Sequence, residues 1–203
     1  MIRFVGVCWG CLVLAACQIA PPHTYKIALV APFEGRQRQT GYDAFPALRM
    51  AVREQIAAQR GAPFQITFIA YNDNADPAFA EQVARNVAID PDTLVVIGHL
   101  LPATTRAAQP IYTQAGLPIL TLDDTPTDCA ARVYHFAPTP AQLAEAQPTI
   151  ATQYSIVAGG PPPGDGSAPA YLATQHALAA IRSASSPSRA AVARVLAKQA
   201  GCP

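Results

Sequence analysis

Between residues 25 and 137 short apolar runs alternate with longer stretches whose apolar positions recur at helical spacing. YKIALVAPF (25–33) is almost uniformly apolar until Pro32, the pattern of a strand buried on both faces. Polar EGRQRQTG (34–41) follows as a loop. In YDAFPALRMAVREQIAAQRG (42–61), Ala47, Leu48, Ala51, Val52 and Ile56 fall on one helical face, and Gly61 stops the helix. PFQITFIAY (63–71), rich in β-branched and aromatic residues, predicts a second strand. Asp76 and Pro77 then mark a helix start, an N-cap followed by proline at the first helical position, with Phe79, Val83 and Val87 lining one face. TLVVIGH (93–99) predicts a third strand, PATTRAAQPIYTQAG (102–116) a helix made irregular by Pro110, LPILTL (117–122) a fourth strand and RVYHFAP (132–138) a short fifth.

Each strand–helix unit is long enough for a right-handed crossover. The alternation therefore predicts an α/β fold: an open, doubly wound parallel sheet with helices on both faces. Beyond residue 138 the pattern changes. Residues 138–160 carry no clear period, and PPPGDGSAP (161–169) reads as a flexible linker. Two Ala-rich helices follow, over 170–186 and 186–201. Ser186 or Ser188 caps the second, and Gly201 ends it.

The N-terminus reads differently. Arg3 precedes an apolar run from Phe4 to Ala16 of about 13 residues, short of the roughly 20 a membrane span requires and suited to an export signal. The run closes with Leu14-Ala15-Ala16-Cys17, which resembles a bacterial lipobox. On that reading residues 1–16 are removed and Cys17 is acylated, anchoring the chain to a membrane on the periplasmic or cell-surface side. The competing readings are an ordinary cleaved signal and a buried core strand. If the lipobox reading holds, Cys8 and Cys11 leave with the signal, Cys17 is acylated, and Cys129 and Cys202 remain. In an oxidising compartment these two either pair or stay as separate free thiols. A pair would close a loop of about 73 residues, worth ~4 kcal/mol in the chain-entropy treatment.

Composition narrows the partners. Charged residues make up only 13% of the 203, and the formal net charge is +1, so nothing points to nucleic acid or an acidic substrate. The twenty prolines cluster late, which indicates loops there. NDNADP (72–77) alternates possible calcium ligands but lacks the bend Gly and the closing Glu of a calcium loop, so it reads as a strand-end turn. His23, His99, His135 and His176 show no metal-ligand spacing, and His99 reads as a structural residue ending its strand. Asp123-Asp124 reads as a solvated turn, with no nucleophile or base placed to make it an acid–base pair. No phosphate-binding loop, dinucleotide fingerprint or nucleophile triad is present, so neither cofactor nor enzyme activity is expected.

Four blocks carry a resemblance: IALVAPFEGRQRQTGYDAFPALRMAV, YNDNADPAFAEQVARNV, VVIGHLLPATTRAAQPIYTQAGLPILTL and YHFAPTPAQ. Their order and spacing are similar to the first lobe of the leucine/isoleucine/valine-binding type of periplasmic receptor, over roughly residues 25–142. The last 36 residues (168–203) resemble the helices by which that family's chain returns to its first lobe. The resemblance implies the type I periplasmic binding protein fold. It also implies a receptor feeding an ABC permease and a small polar, amino-acid-like ligand held between two lobes.

The family's second lobe needs well over a hundred residues where this chain has about thirty. The expected organisation is therefore a tether (17–24), one α/β lobe (25–142), a Pro/Gly-rich linker in place of the second lobe (143–167) and C-terminal helices (168–203). An alternative role is that of a sensory or interaction lipoprotein docking a protein through an apolar patch at Leu100, Leu101 and Pro102, or that of a degenerate receptor.

In open parallel sheets ligands sit beyond the carboxyl ends of the strands, where helix N-termini suit a carboxylate. That places Leu100–Thr105 beside Asp123–Thr125 at the cleft. The resemblance implies a hydroxyl residue at position 102, but Pro102 stands there, with Thr104 and Thr105 nearby to compensate. Thr125 matches the family's second contact. Its ammonium-binding backbone carbonyl falls at Asp123, whose acidic side chain would favour a cation.

Overall fold

The computed structural model describes residues 22–58, 63–184 and 186–203. The expected export signal (1–16), Cys17 and Gly61 lie outside the described residues. Five strands, β1 (His23–Ala31), β2 (Phe64–Asn72), β3 (Thr93–Gly98), β4 (Ile119–Thr121) and β5 (Val133–His135), form one parallel sheet in the order β2-β1-β3-β4-β5. The chain therefore reverses its direction of travel across the sheet between β1 and β3, the switch point at which such sheets leave a crevice.

Burial on both faces explains the unbroken apolar runs. In β1, Ile27, Leu29 and Ala31 join one core and Ala28 and Val30 the other, as the two-residue period of a strand dictates. The larger core is closed by α1 (Arg38–Ala58), α4 (Pro140–Ala158), α5 (Ser167–Arg182) and α6 (Arg189–Gln199). The smaller is closed by α2 (Pro77–Ala88) and α3 (Pro102–Gln114), through Val83, Ala84, Val87, Ala108 and Tyr112. The C-terminal helices thus return to the same sheet.

Several expectations are corrected. The helix expected from residue 42 begins at Arg38, inside the segment read as a loop. Gly41 lies within it so close to the strand exit that a Cβ would stand 2.3 Å from the Pro32 carbonyl oxygen. Ile56 and Phe79 have helical spacing but are 59% and 37% exposed, because the sheet does not reach them.

The largest correction concerns 143–167, which is mostly helix. The Thr139 side chain accepts the Gln142 N–H while Gln142 Oε1 accepts the Thr139 N–H, and Pro140 takes the first position. Gly159, at φ 79°, closes the far end. This reciprocal cap satisfies two donors that a helix start otherwise leaves unpaired. The helix then buries Ala146, Ile150 and Tyr154. Only Gly159–Gly166 connects α4 to α5.

Pro46 inside α1 shows how α4 is fixed. It has no N–H for the Tyr42 carbonyl four residues back. The buried Tyr154 hydroxyl of α4 stands 3.2 Å from the Tyr42 oxygen and 3.1 Å from that of Asp43, which also accepts from Ser167 at 3.1 Å. The carbonyl that Pro46 leaves free thus helps to seat α4, and the neighbouring Asp43 carbonyl accepts from both α4 and α5. At the opposite end of the chain, Cys129 and Cys202 form a disulfide, Cα atoms 5.9 Å apart, tying the tail behind α6 to the loop before β5.

Candidate functional site

The carboxyl ends of β3 and β4 converge on one polar cluster. After Gly98 the chain turns into α3. Gly98 has φ 109°, and a Cβ there would meet the Val30 carbonyl oxygen at 2.1 Å, so only glycine lets β3 run this close to β1. His99 follows, fully buried. Its Nδ1–H donates to Asp73 Oδ2 at 2.7 Å, and its Nε2 meets the Tyr112 hydroxyl at 3.2 Å. Asp73 Oδ1 accepts the Ala75 N–H. Burial, then the Asp73 charge, push the Tyr112 hydroxyl far above its ordinary range, so it stays a neutral hydrogen-bonding group.

This line of side chains bolts the turn after β2 to the turn after β3. Sequence reasoning named His99 but not its partners. Asp73 was hidden in a segment read as a turn, and no local pattern relates residues 73, 99 and 112.

The turn carries the α3 N-terminus. Leu101 caps it without a side-chain hydrogen bond, and Pro102 occupies the first position. Thr104 turns its hydroxyl back to the Leu101 carbonyl at 3.0 Å. Thr105 Oγ1 lies 2.5 Å from Asp123 Oδ2 and 3.0 Å from the His99 carbonyl. Its single proton serves the carboxylate, the shorter and charge-assisted contact. Asp123 Oδ1 accepts the Thr125 N–H at 2.7 Å, and the Thr121 hydroxyl holds the Thr125 carbonyl at 3.3 Å.

Thr104, Thr105, Asp123 and Thr125 are therefore gathered at one rim, as the sheet order requires. Leu100 is a different case: it is 9% exposed and packs in the larger core rather than in the open. Asp123 is not the solvated turn residue that its sequence suggested. It too is 9% exposed, while Asp124 beside it is exposed. One atom stands out. Thr125 is 8% exposed, and among the described residues its Oγ1 has no hydrogen-bond partner. Buried hydroxyls are nearly always paired, and leaving one unpaired costs about 1–3 kcal/mol.

The rim can therefore orient the charged end of a small solute by hydrogen bonds and field. Among the described residues, no group of three or more His, Cys, Asp or Glu side chains is arranged to hold a metal.

Comparison with known proteins agrees with this architecture. A family model described as periplasmic binding protein matches residues 24–154. The Leu/Ile/Val-binding protein of Escherichia coli (strain K12) is 31% identical over 125 residues, which is 62% of this chain and 34% of that protein. The Leu/Ile/Val-binding protein of Citrobacter freundii is 28% identical over 147 residues, 72% of this chain and 40% of that one. The chain thus spans little more than a third of the length of these relatives.

Among solved structures, a putative branched-chain amino acid ABC transporter from Rhodospirillum rubrum has a TM-score of 0.52 at 18% identity, covering 75% of this chain and 46% of that one. The branched-chain amino acid transporter substrate binding protein LivJ from Streptococcus pneumoniae, in complex with isoleucine, has a TM-score of 0.50 at 23% identity, covering 55% and 33%. At these identities the structural likeness speaks to the fold alone. The sheet order, the rim and a family match across well over half of the sequence agree: the chain belongs to the periplasmic binding protein family.

Proposed function

We propose that this chain is an exported, lipid-anchored solute-binding lobe that takes a branched-chain amino acid or a related small polar solute and works with ABC-type uptake. The relatives named above are binding proteins for Leu, Ile and Val, which supports the solute class. The sequence Leu14-Ala15-Ala16-Cys17 supports the anchor. The observation that carries the solute reading is the Thr125 hydroxyl, buried and, among the described residues, without a partner, next to the Asp123 carboxylate that Thr105 of α3 holds. The alternative role of docking a protein through Leu100, Leu101 and Pro102 is not favoured, because Leu100 belongs to the core.

The chain acts as one lobe, with Gly159–Gly166 running from α4 to α5 where a second lobe would otherwise be inserted. Small-molecule sites gain affinity by enclosing most of the ligand surface, and a single lobe leaves one side open. Calorimetric titration of the monomer with leucine, isoleucine and valine, and with the matching amines, is expected to give weak, millimolar-range binding of at least one solute. Thr125→Val abolishes it while preserving the fold. Absence of binding across both series, or an unchanged affinity in Thr125→Val, would refute the reading. The anchor is tested separately: Cys17→Ala abolishes incorporation of a palmitate analogue in cells, and undiminished labelling would refute it.

A further inference from the structure

The acid at the rim decides which end of a solute the site can hold. Asp123 is a buried carboxylate, and buried charges are as a rule paired. Among the described residues the salt bridges involve His23, Lys26, Arg85 and His99, and none reaches Asp123. The α3 N-terminus and two hydrogen bonds offset part of its charge; they supply no cation.

The same two bonds also occupy two donors of the rim. The Thr105 hydroxyl and the Thr125 N–H are given to Asp123, the Thr104 hydroxyl to Leu101, and Pro102 has no N–H to give. A solute carboxylate arriving beside Asp123 meets a like charge, with the Thr105 hydroxyl and the Thr125 N–H already taken. An ammonium meets the opposite arrangement: a carboxylate with lone pairs to spare, and the unpartnered Thr125 Oγ1, which accepts an N–H as readily as it donates.

Resting on the solute-binding role above, we propose that Asp123 acts as a built-in anion, and that the site selects a small aliphatic primary amine over the corresponding α-amino acid. The ligand's ammonium becomes the counter-ion of Asp123 and the hydrogen-bond partner of Thr125. Asp123 is then the residue that sets specificity, and the carboxylate of an amino acid counts against binding.

The test uses two probes with the same side chain, leucine and 3-methylbutylamine, titrated into the full chain by amide NMR at one fixed ionic strength. The wild-type chain is expected to prefer the amine by about tenfold or more, a factor of ten being one decade of dissociation constant. Asp123→Asn removes the charge and frees donors, so the amine loses about tenfold and leucine gains, which reverses the order. Asp124→Asn makes the same charge change at the exposed neighbour and leaves the preference in place, which separates the site from general attraction of cations to an acidic surface.

Leucine binding the wild-type chain as well as the amine does would overturn the inference and leave the solute-binding role standing. If neither probe binds wild type or Asp123→Asn, both fall. The wild-type preference is decisive by itself if Asp123→Asn does not fold.

Discussion

Arg189, the first residue of α6, holds the amino-terminal end of the sheet together. Its Nε donates to the Thr93 carbonyl at 2.9 Å, Nη1 to Ala115 at 3.1 Å, and Nη2 to Ala88 at 3.0 Å and Asp90 at 2.6 Å. Ala88 is the last residue of α2 and Ala115 caps α3, so one guanidinium closes two helix C-termini whose carbonyls lack intrahelical donors. A cation at a helix C-terminus contributes about 0.3–1 kcal/mol, and here it serves two.

The hydrogen bonds add about 0.5–1.5 kcal/mol each in net terms. Because the residue is half-buried, water replaces part of what is lost. Arg189→Ala is therefore expected to cost about 3 kcal/mol, which for a chain of this size lowers Tm by ~6–12 °C. Arg189→Lys, a point charge without the planar fork, recovers only part of this. Urea unfolding followed by circular dichroism checks the value, with the midpoint falling and the m-value constant. A loss below about 0.5 kcal/mol in Arg189→Ala would show that water satisfies these carbonyls equally well, and the argument would be wrong.

Three further outcomes follow from the packing. Tyr154→Phe leaves the Tyr42 carbonyl without its hydroxyl donor, while Asp43 keeps that of Ser167, and is expected to cost about 1–2 kcal/mol by the same unfolding assay; no change would mean that the Tyr154 hydroxyl does not hold α4. Reducing the Cys129–Cys202 disulfide, which closes a span of 73 residues, is expected to cost about 2–4 kcal/mol, read as a Tm difference with and without reductant; equal Tm values would refute it.

Asp90 sets an acid limit. Burial pushes its carboxyl upward, but hydrogen bonds from Lys26, the Asp92 N–H and the Thr93 hydroxyl hold it below the usual carboxylate value of 3.8. A depressed carboxyl stabilises the fold above its unfolded pKa and loses that contribution as pH falls through the folded one. Wild-type stability therefore drops below about pH 4, and Asp90→Asn flattens that part of the pH profile. Parallel profiles for the two would contradict the assignment.

The sheet was legible because its strands are buried on both faces, so Ile27–Ala31 and Leu94–Ile97 needed no partner to be recognised. Helix faces were legible where a sheet covers them, as at Val83 and Val87, and misleading where none does, as at Ile56. Helix α4 escaped notice although its start was written plainly. Thr139-Pro140-Ala141-Gln142 is a capping box with proline at the first position, but Pro148 and a weak apolar period obscured what followed.

The site was legible only as a place. Topology brings residues 99–105 and 121–125 together, yet the bond from Thr105 to Asp123 spans eighteen positions and gives no periodic signal. Asp123 therefore looked like a turn residue rather than a buried acceptor. The core position of Leu100 was missed for the same reason, since a strand-exit leucine reads alike whether it faces a cleft or a helix.

Amide chemical-shift mapping of the isotopically labelled full chain, titrated with 3-methylbutylamine, bears most closely on where a solute sits. The arrangement of the rim predicts the largest shifts within residues 99–105 and 121–126, saturating together with one dissociation constant. Shifts concentrated in the groove between α1 and α4, around Met50, Arg53 and Val157, with the β3–β4 rim unmoved, would contradict it.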